Sequence, residues 1–178
     1  MARSPHSTSL KRIYLVGMPG SGKSTSGKRF ARALGWSFAD LDKLVKLRTG
    51  KNIPQFFKEE GEEAFRSVER SCLHETSLSM HLVVACGGGT AAWFDNMEWM
   101  LKNGTVIWLD IAQSELKRRI ISGKSERPLF SGLSESEIEA KLITLYNLRV
   151  AFMERATLRV NSETSLLKLA ELLSQRLA

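Results

Sequence analysis

The chain has 178 residues, a length that fits one domain with room for a buried core. Hydrophobic residues make up 43% and charged residues 25%, which excludes a disordered or low-complexity protein. The formal net charge of +7 suits nucleic acid or an anionic small substrate, yet the basic residues are scattered and no apolar run reaches membrane-helix length, so neither a nucleic-acid partner nor a membrane is expected. Cys72 and Cys86 are too few for a disulfide framework and lack zinc-type spacing, so they read as reduced packing residues. Residues 1–10 are polar, carry no signal-type apolar stretch and read as a flexible tail. Residues 11–178 read as one domain, and a cytoplasmic location is expected.

In chain order, residues 13–16 form a continuous apolar run, Ile13-Tyr14-Leu15-Val16, that predicts a buried strand. It leads into Gly17-Met18-Pro19-Gly20-Ser21-Gly22-Lys23-Ser24, the Walker A pattern G-x-x-x-x-G-K-S, and then into a helix expected over 24–34 and stopped by Gly35. The pattern suits a phosphate chain. Glycines let backbone N–H groups turn inward, and the helix N-terminus adds unpaired donors and a positive dipole end. Gly20, Ser21, Gly22, Lys23, Ser24 and Thr25 are therefore candidate nucleotide-binding residues. Lys23 should bridge the β- and γ-phosphates and the Ser24 hydroxyl should ligate Mg²⁺. Ser24 holds the motif position, so Thr25 ranks behind it. The competing reading is a plain turn.

A short strand over 37–39 delivers Asp40-Leu41-Asp42, and Asp40 also suits the N-cap of a helix ended by Gly50. One carboxylate of this pair can organise Mg²⁺ and the other can orient an acceptor hydroxyl; the alternative is a helix cap beside a solvated acid. Helices are expected over 53–60 and 62–80, then a strand over 82–86 running into Gly87-Gly88-Gly89. The triple glycine suits close approach by a ligand, or else a flexible loop. A helix over 91–101, a strand over 105–109 and a helix over 114–121 follow. The 105–109 strand ends at Asp110 and resembles a Walker B strand, so Asp110 competes with Asp40 for the metal, with Asp40 preferred.

Residues 122–133 contain Gly123, Pro128 and Gly132 among charges and read as a mobile loop. Ser134 and Glu137 make a capping box for a helix over 135–155; a strand over 158–160 and a helix over 166–177 close the chain. Alternating helices and continuous apolar strands imply an α/β fold with a parallel sheet covered on both faces. In such a sheet ligands bind beyond the carboxyl ends of the strands, where the Walker loop, the Asp-x-Asp pair and the triple glycine all fall. Arg66, Arg127 and Arg149 lie near these segments and suit a carboxylate or phosphate, although each alone could be a surface arginine.

From Ile13 to the last helix the chain resembles the shikimate kinases, on Gly17 to Thr25, Asp40-Leu41-Asp42, Gly61-Glu62, Phe65-Arg66 with Glu69, Gly87-Gly88-Gly89, Arg127-Pro128-Leu129, and Arg149 with Glu154 and Ala156. The resemblance implies a P-loop NTPase fold of the nucleoside-monophosphate-kinase type, with a five-stranded parallel sheet in order 2-3-1-4-5. It implies transfer of the ATP γ-phosphate to the 3-hydroxyl of shikimate, in the route to chorismate and the aromatic amino acids. By that resemblance Asp42, Lys23 and Arg127 are catalytic, with Asp42 binding the acceptor hydroxyls. Arg66, Arg149, Gly87, Gly88 and Gly89 bind shikimate, Arg119 stacks on adenine, and Arg127 sits on a lid at about 122–133. Ser24 and Asp40 hold Mg²⁺, and a monomer is expected. Phe152 stands where family members often carry a tyrosine, and Phe130 is an aromatic in a lid position where a second aliphatic is common. Two rivals remain at this stage: a gluconate-kinase-like enzyme on the same fold, and a nucleotide-binding module without catalysis.

Overall fold

The protein was analysed as a computed structural model that describes residues 11–123 and 128–177. Five strands, β1 (Arg12–Val16), β2 (Ser37–Asp40), β3 (Leu82–Ala85), β4 (Thr105–Leu109) and β5 (Leu158–Val160), form one sheet in the order β2-β3-β1-β4-β5. Every pairing is parallel, so each strand is linked to the next by a helical crossover. The helices are α1 (Lys23–Leu34), α2 (Leu41–Thr49), α3 (Ile53–Glu75), α4 (Asn96–Asn103), α5 (Gln113–Ser122), α6 (Glu135–Met153) and α7 (Glu163–Leu177).

The continuous apolar strands have the reason the sequence suggested: both faces of the sheet are covered. Successive side chains of a strand point to opposite faces. Ile13 and Leu15 of β1 pack with Val83, Ile107 and Leu109 against Phe30 of α1 and Leu166 and Ala170 of α7. Tyr14 and Val16 face the other way, with Val84, Val106 and Trp108, toward Phe65, Leu73, Met97 and Leu142.

The helix ends follow the expected chemistry. Gly35 and Gly50 adopt left-handed conformations at the ends of α1 and α2. Ser134 and Glu137 form the capping box of α6. Gly61 breaks α3 into two helical pieces with φ of 83° and ψ of 174°, in line with two helices over 53–60 and 62–80.

Two elements differ most from expectation, while α7 starts at Glu163, before the expected 166. The second piece of α3 stops at Glu75, and Thr76–Leu78 tighten into a 3₁₀ turn, because the Thr76 hydroxyl turns back to the Leu73 carbonyl at 2.6 Å. The helix expected over 91–101 divides into a 3₁₀ turn (Thr90–Ala92), an irregular Trp93-Phe94-Asp95 segment and α4. Phe94 interrupts it with φ of 49°, which no helix tolerates.

The expected tail, residues 1–10, and the expected lid residues 124–127, Arg127 among them, lie outside the described residues. Beyond them, Pro128–Phe130 form a 3₁₀ turn whose Phe130 is buried. Among the described residues, no helix is long and apolar enough to cross a membrane.

Candidate active site

Parallel strands all deliver their carboxyl ends to one rim, and three loops meet there. The first joins β1 to α1. Gly17 has φ of 151°, and a β-carbon there would stand 2.7 Å from the Leu109 carbonyl oxygen of β4, so only glycine lets the loop leave the sheet. Lys23 opens α1 and folds back over the loop. Its ammonium donates to the Gly17 carbonyl at 2.9 Å, the Met18 carbonyl at 3.0 Å and Ser21 Oγ at 3.3 Å. Burial lowers its pKa to about 8, opposed first by the Asp42 carboxylate.

The second loop carries Asp40 and Asp42. Asp40 ends β2 and caps α2, accepting from the Lys43 amide at 3.3 Å, while its other oxygen accepts from Ser24 Oγ at 2.5 Å. Asp40 thus caps α2 and meets the Walker serine with its other oxygen. Asp110 is committed elsewhere: Arg159 donates to its Oδ2 from Nε at 2.8 Å and from Nη2 at 2.5 Å. The Ser24–Asp40 pair is a hard oxygen donor set of the kind Mg²⁺ takes. Among the described residues no group of three or more His, Cys, Asp or Glu could hold a metal ion.

Asp42 is exposed in the first turn of α2, yet neighbouring protein and charges act on its carboxyl. Desolvation, then the Asp40 and Glu69 carboxylates, raise its pKa to about 6, against the attraction of Lys23 and Arg66. Its Oδ1 lies 3.1 Å from where a β-carbon on Gly87 would stand.

The third loop is Gly87-Gly88-Gly89, and it is ringed by charge. A β-carbon on Gly87 would meet Glu69 Oε1 at 2.4 Å; on Gly88, Arg149 Nη1 at 3.4 Å; on Gly89, Arg66 Nη2 at 2.9 Å. Arg66 is 7% exposed and Glu69 1% exposed. Arg66 Nη1 donates to Glu69 Oε2 at 2.8 Å and Nη2 donates to Glu62 Oε1 at 3.1 Å, while Thr90 Oγ1 donates to Glu69 Oε1 at 2.6 Å. Arg149 reaches the same loop from α6, and its buried Nη1 has no hydrogen-bond partner among the described residues. Desolvation and the nearby Arg66 both lower the Arg149 pKa. Arg66 is paired with two carboxylates, whereas Arg149 keeps an unpartnered guanidinium nitrogen beside the glycine loop, which suits a small anion.

Arg119 stands at the far side of the P-loop, braced by Glu115 at 2.6 Å and reaching the Gly20 and Ser21 carbonyls at 3.5 and 3.4 Å. Thr25 is exposed on the outer side of the first turn of α1. Sequence reasoning assigned no role to Glu62 or Glu69 and passed over Trp93. The Phe-Arg-x-x-Glu spacing was the available signal, but an arginine and a glutamate three apart on a helix usually mark a surface pair. Burial alone distinguishes Glu69.

A parallel sheet in this order, with a Walker A loop leaving its central strand for a helix N-terminus, defines a P-loop kinase, a phosphotransferase class. A family model described as shikimate kinase matches residues 19–177. A shikimate kinase of Parabacteroides distasonis is 39% identical over 157 residues, 88% of this chain and 91% of the relative. The crystal structure of shikimate kinase from Bacteroides thetaiotaomicron superposes with a TM-score of 0.87 at 35% identity, covering 91% of this chain and 97% of the other. Shikimate kinase from Acinetobacter baumannii in complex with shikimate gives a TM-score of 0.82 at 33% identity, over 95% and 93% of the two chains. The chain belongs to the shikimate kinase family. The gluconate-kinase-like and non-catalytic alternatives give way to that membership.

Proposed function

We propose that this protein transfers the γ-phosphoryl group of ATP to the 3-hydroxyl of shikimate, giving shikimate 3-phosphate and ADP. The observation that carries the reading is the pair Arg66 and Arg149 set against adjacent glycines, with the Arg149 Nη1 buried and unpartnered among the described residues. Those guanidinium groups would take the acceptor's carboxylate, and Asp42 across Gly87 would then orient one hydroxyl toward the phosphate chain.

The phosphoryl group moves in line, so positioning and charge stabilisation supply most of the rate. Lys23 holds the β- and γ-phosphate oxygens, together with backbone amides of the Gly17–Ser24 loop. Asp42 accepts the hydroxyl proton as the oxygen–phosphorus bond forms. Ser24 and Asp40 would hold Mg²⁺, which neutralises charge on the phosphate oxygens when bound. Arg127 is assigned to the transferring phosphate, Arg119 to the adenine and Thr25 to the phosphate chain on the family resemblance alone. The reading also takes residues 11–178 as one domain with a lid at about 122–133, acting as a cytoplasmic monomer; the free, buried Cys72 and Cys86 suit a reducing compartment.

The test is ADP release with ATP and Mg²⁺, in parallel with shikimate, with gluconate and without acceptor. Turnover dependent on shikimate is expected. Equal release in all three would discard the reading.

A further inference from the structure

Two arginines on one face of α3, Arg66 and Arg70, stand one helical turn apart, and two consecutive aromatic residues lie over them. The Trp93 ring is 5.2 Å from the Arg66 guanidinium carbon, and the Phe94 ring is 5.2 Å from that of Arg70. The two rings are themselves in edge contact, with centroids 6.1 Å apart. Phe57 and Phe65 of α3 approach Arg66 at 6.0 and 5.1 Å, so Trp93 completes an aromatic enclosure around it.

Local structure is sacrificed to keep this arrangement. Phe94 sits at φ of 49°, a strained conformation for a residue with a β-carbon. Asp95 occupies the N-cap position of α4, where an aspartate normally bonds the helix's own amides, yet its side chain makes no cap bond. It accepts instead from Arg70 Nη2 at 2.5 Å. A strained residue and an unused cap, side by side, both serve to tie the 93–95 segment to α3.

We propose that Trp93 and Arg70 are positioning residues for acceptor recognition. Arg70, through Asp95 and Phe94, clamps the segment that holds the Trp93 ring over Arg66, and the ring adds to the Glu62 and Glu69 carboxylates in fixing the plane of the guanidinium that receives the acceptor's carboxylate. The proposal rests on the assignment of Arg66 to that carboxylate. Trp93 acts in two ways. Its face attracts the cation and so resists rotation of the guanidinium. Its bulk excludes water, which strengthens a charge-assisted bond to an arriving carboxylate.

The test compares shikimate with its neutral methyl ester as acceptor for the full chain and its variants. Trp93→Leu is expected to raise KM for shikimate about tenfold, equivalent to about 1.4 kcal/mol, leaving KM for ATP within about twofold. The preference for the carboxylate over the ester should narrow by the same factor, and Trp93→Phe should restore most of it. Arg70→Gln alters a side chain 37% exposed, so it should fold even if Trp93→Leu does not, and it should show the same narrowing at about threefold. Equal losses on both acceptors, or an unchanged ratio in Arg70→Gln, would overturn the proposal while leaving the assigned reaction standing. A wild-type enzyme inactive on shikimate but active on another acceptor would overturn both.

Discussion

Glu69 Oε1 lies 2.4 Å from the point where a β-carbon on Gly87 would stand, so the buried carboxylate and the first glycine of the loop occupy one space. Glu69 cannot retreat without leaving Arg66 and Thr90. Gly87→Ala should therefore destabilise the fold by about 1–3 kcal/mol, as overpacking does, and should also displace Arg66. Urea denaturation reads the first effect. Calorimetry reads the second, as lost shikimate binding with ATP binding retained.

Asp42 predicts a pH limb. Its carboxyl, raised to about 6, must be ionised to accept the hydroxyl proton, so kcat/KM for the acceptor should fall as pH drops through about 6. Because the folded value lies above the ordinary 3.8, ionised Asp42 opposes folding near neutrality, and that opposition lifts as pH falls through about 6. Asp42→Asn should lower kcat by a factor on the order of 10² to 10⁴, abolish the limb and leave nucleotide affinity unchanged. A wild-type limb that persists in residual Asp42→Asn activity would assign it to another group.

Asp40 and Asp110 separate by their partners. Asp40→Asn removes the negative charge beside Ser24 Oγ and should shift the Mg²⁺ concentration needed for half-maximal turnover upward by about tenfold or more. Asp110→Asn loosens only the bond to Arg159 and should leave the Mg²⁺ titration unchanged. The two titrations, run side by side, give the answer.

Arg149 is expected to act on the acceptor alone. Arg149→Ala removes a desolvated guanidinium and should weaken shikimate binding by about 2–4 kcal/mol, with ATP affinity altered by less than about twofold. Calorimetric titration of each ligand into the variant checks it, and the reverse pattern would break the assignment.

The clearest sequence signals came from residues whose spacing carries its own geometry. Gly17 to Ser24 implied a strand, a loop and a helix because only that order presents amides to a phosphate chain. Ser134 with Glu137 marked the start of α6 for a similarly local reason, since a capping box closes within one turn. Trp93 to Asp95 could not be read this way. Their sequence continues an apolar helical pattern, and the interruption at Phe94 coincides with contacts to Arg70, a residue on another element. Glu75 as the end of α3 depended on a threonine hydroxyl that had two possible fates.

Sequence alone determined the parallel α/β architecture and the phosphate loop, because periodicity and loop chemistry act over a few neighbours. Tertiary structure alone decided that Asp40 rather than Asp110 meets Ser24, that Glu69 is buried, and that Trp93 covers Arg66. Those outcomes turn on which side chains share a desolvated space, and segments distant in the chain enter that space only once the sheet has set their distances.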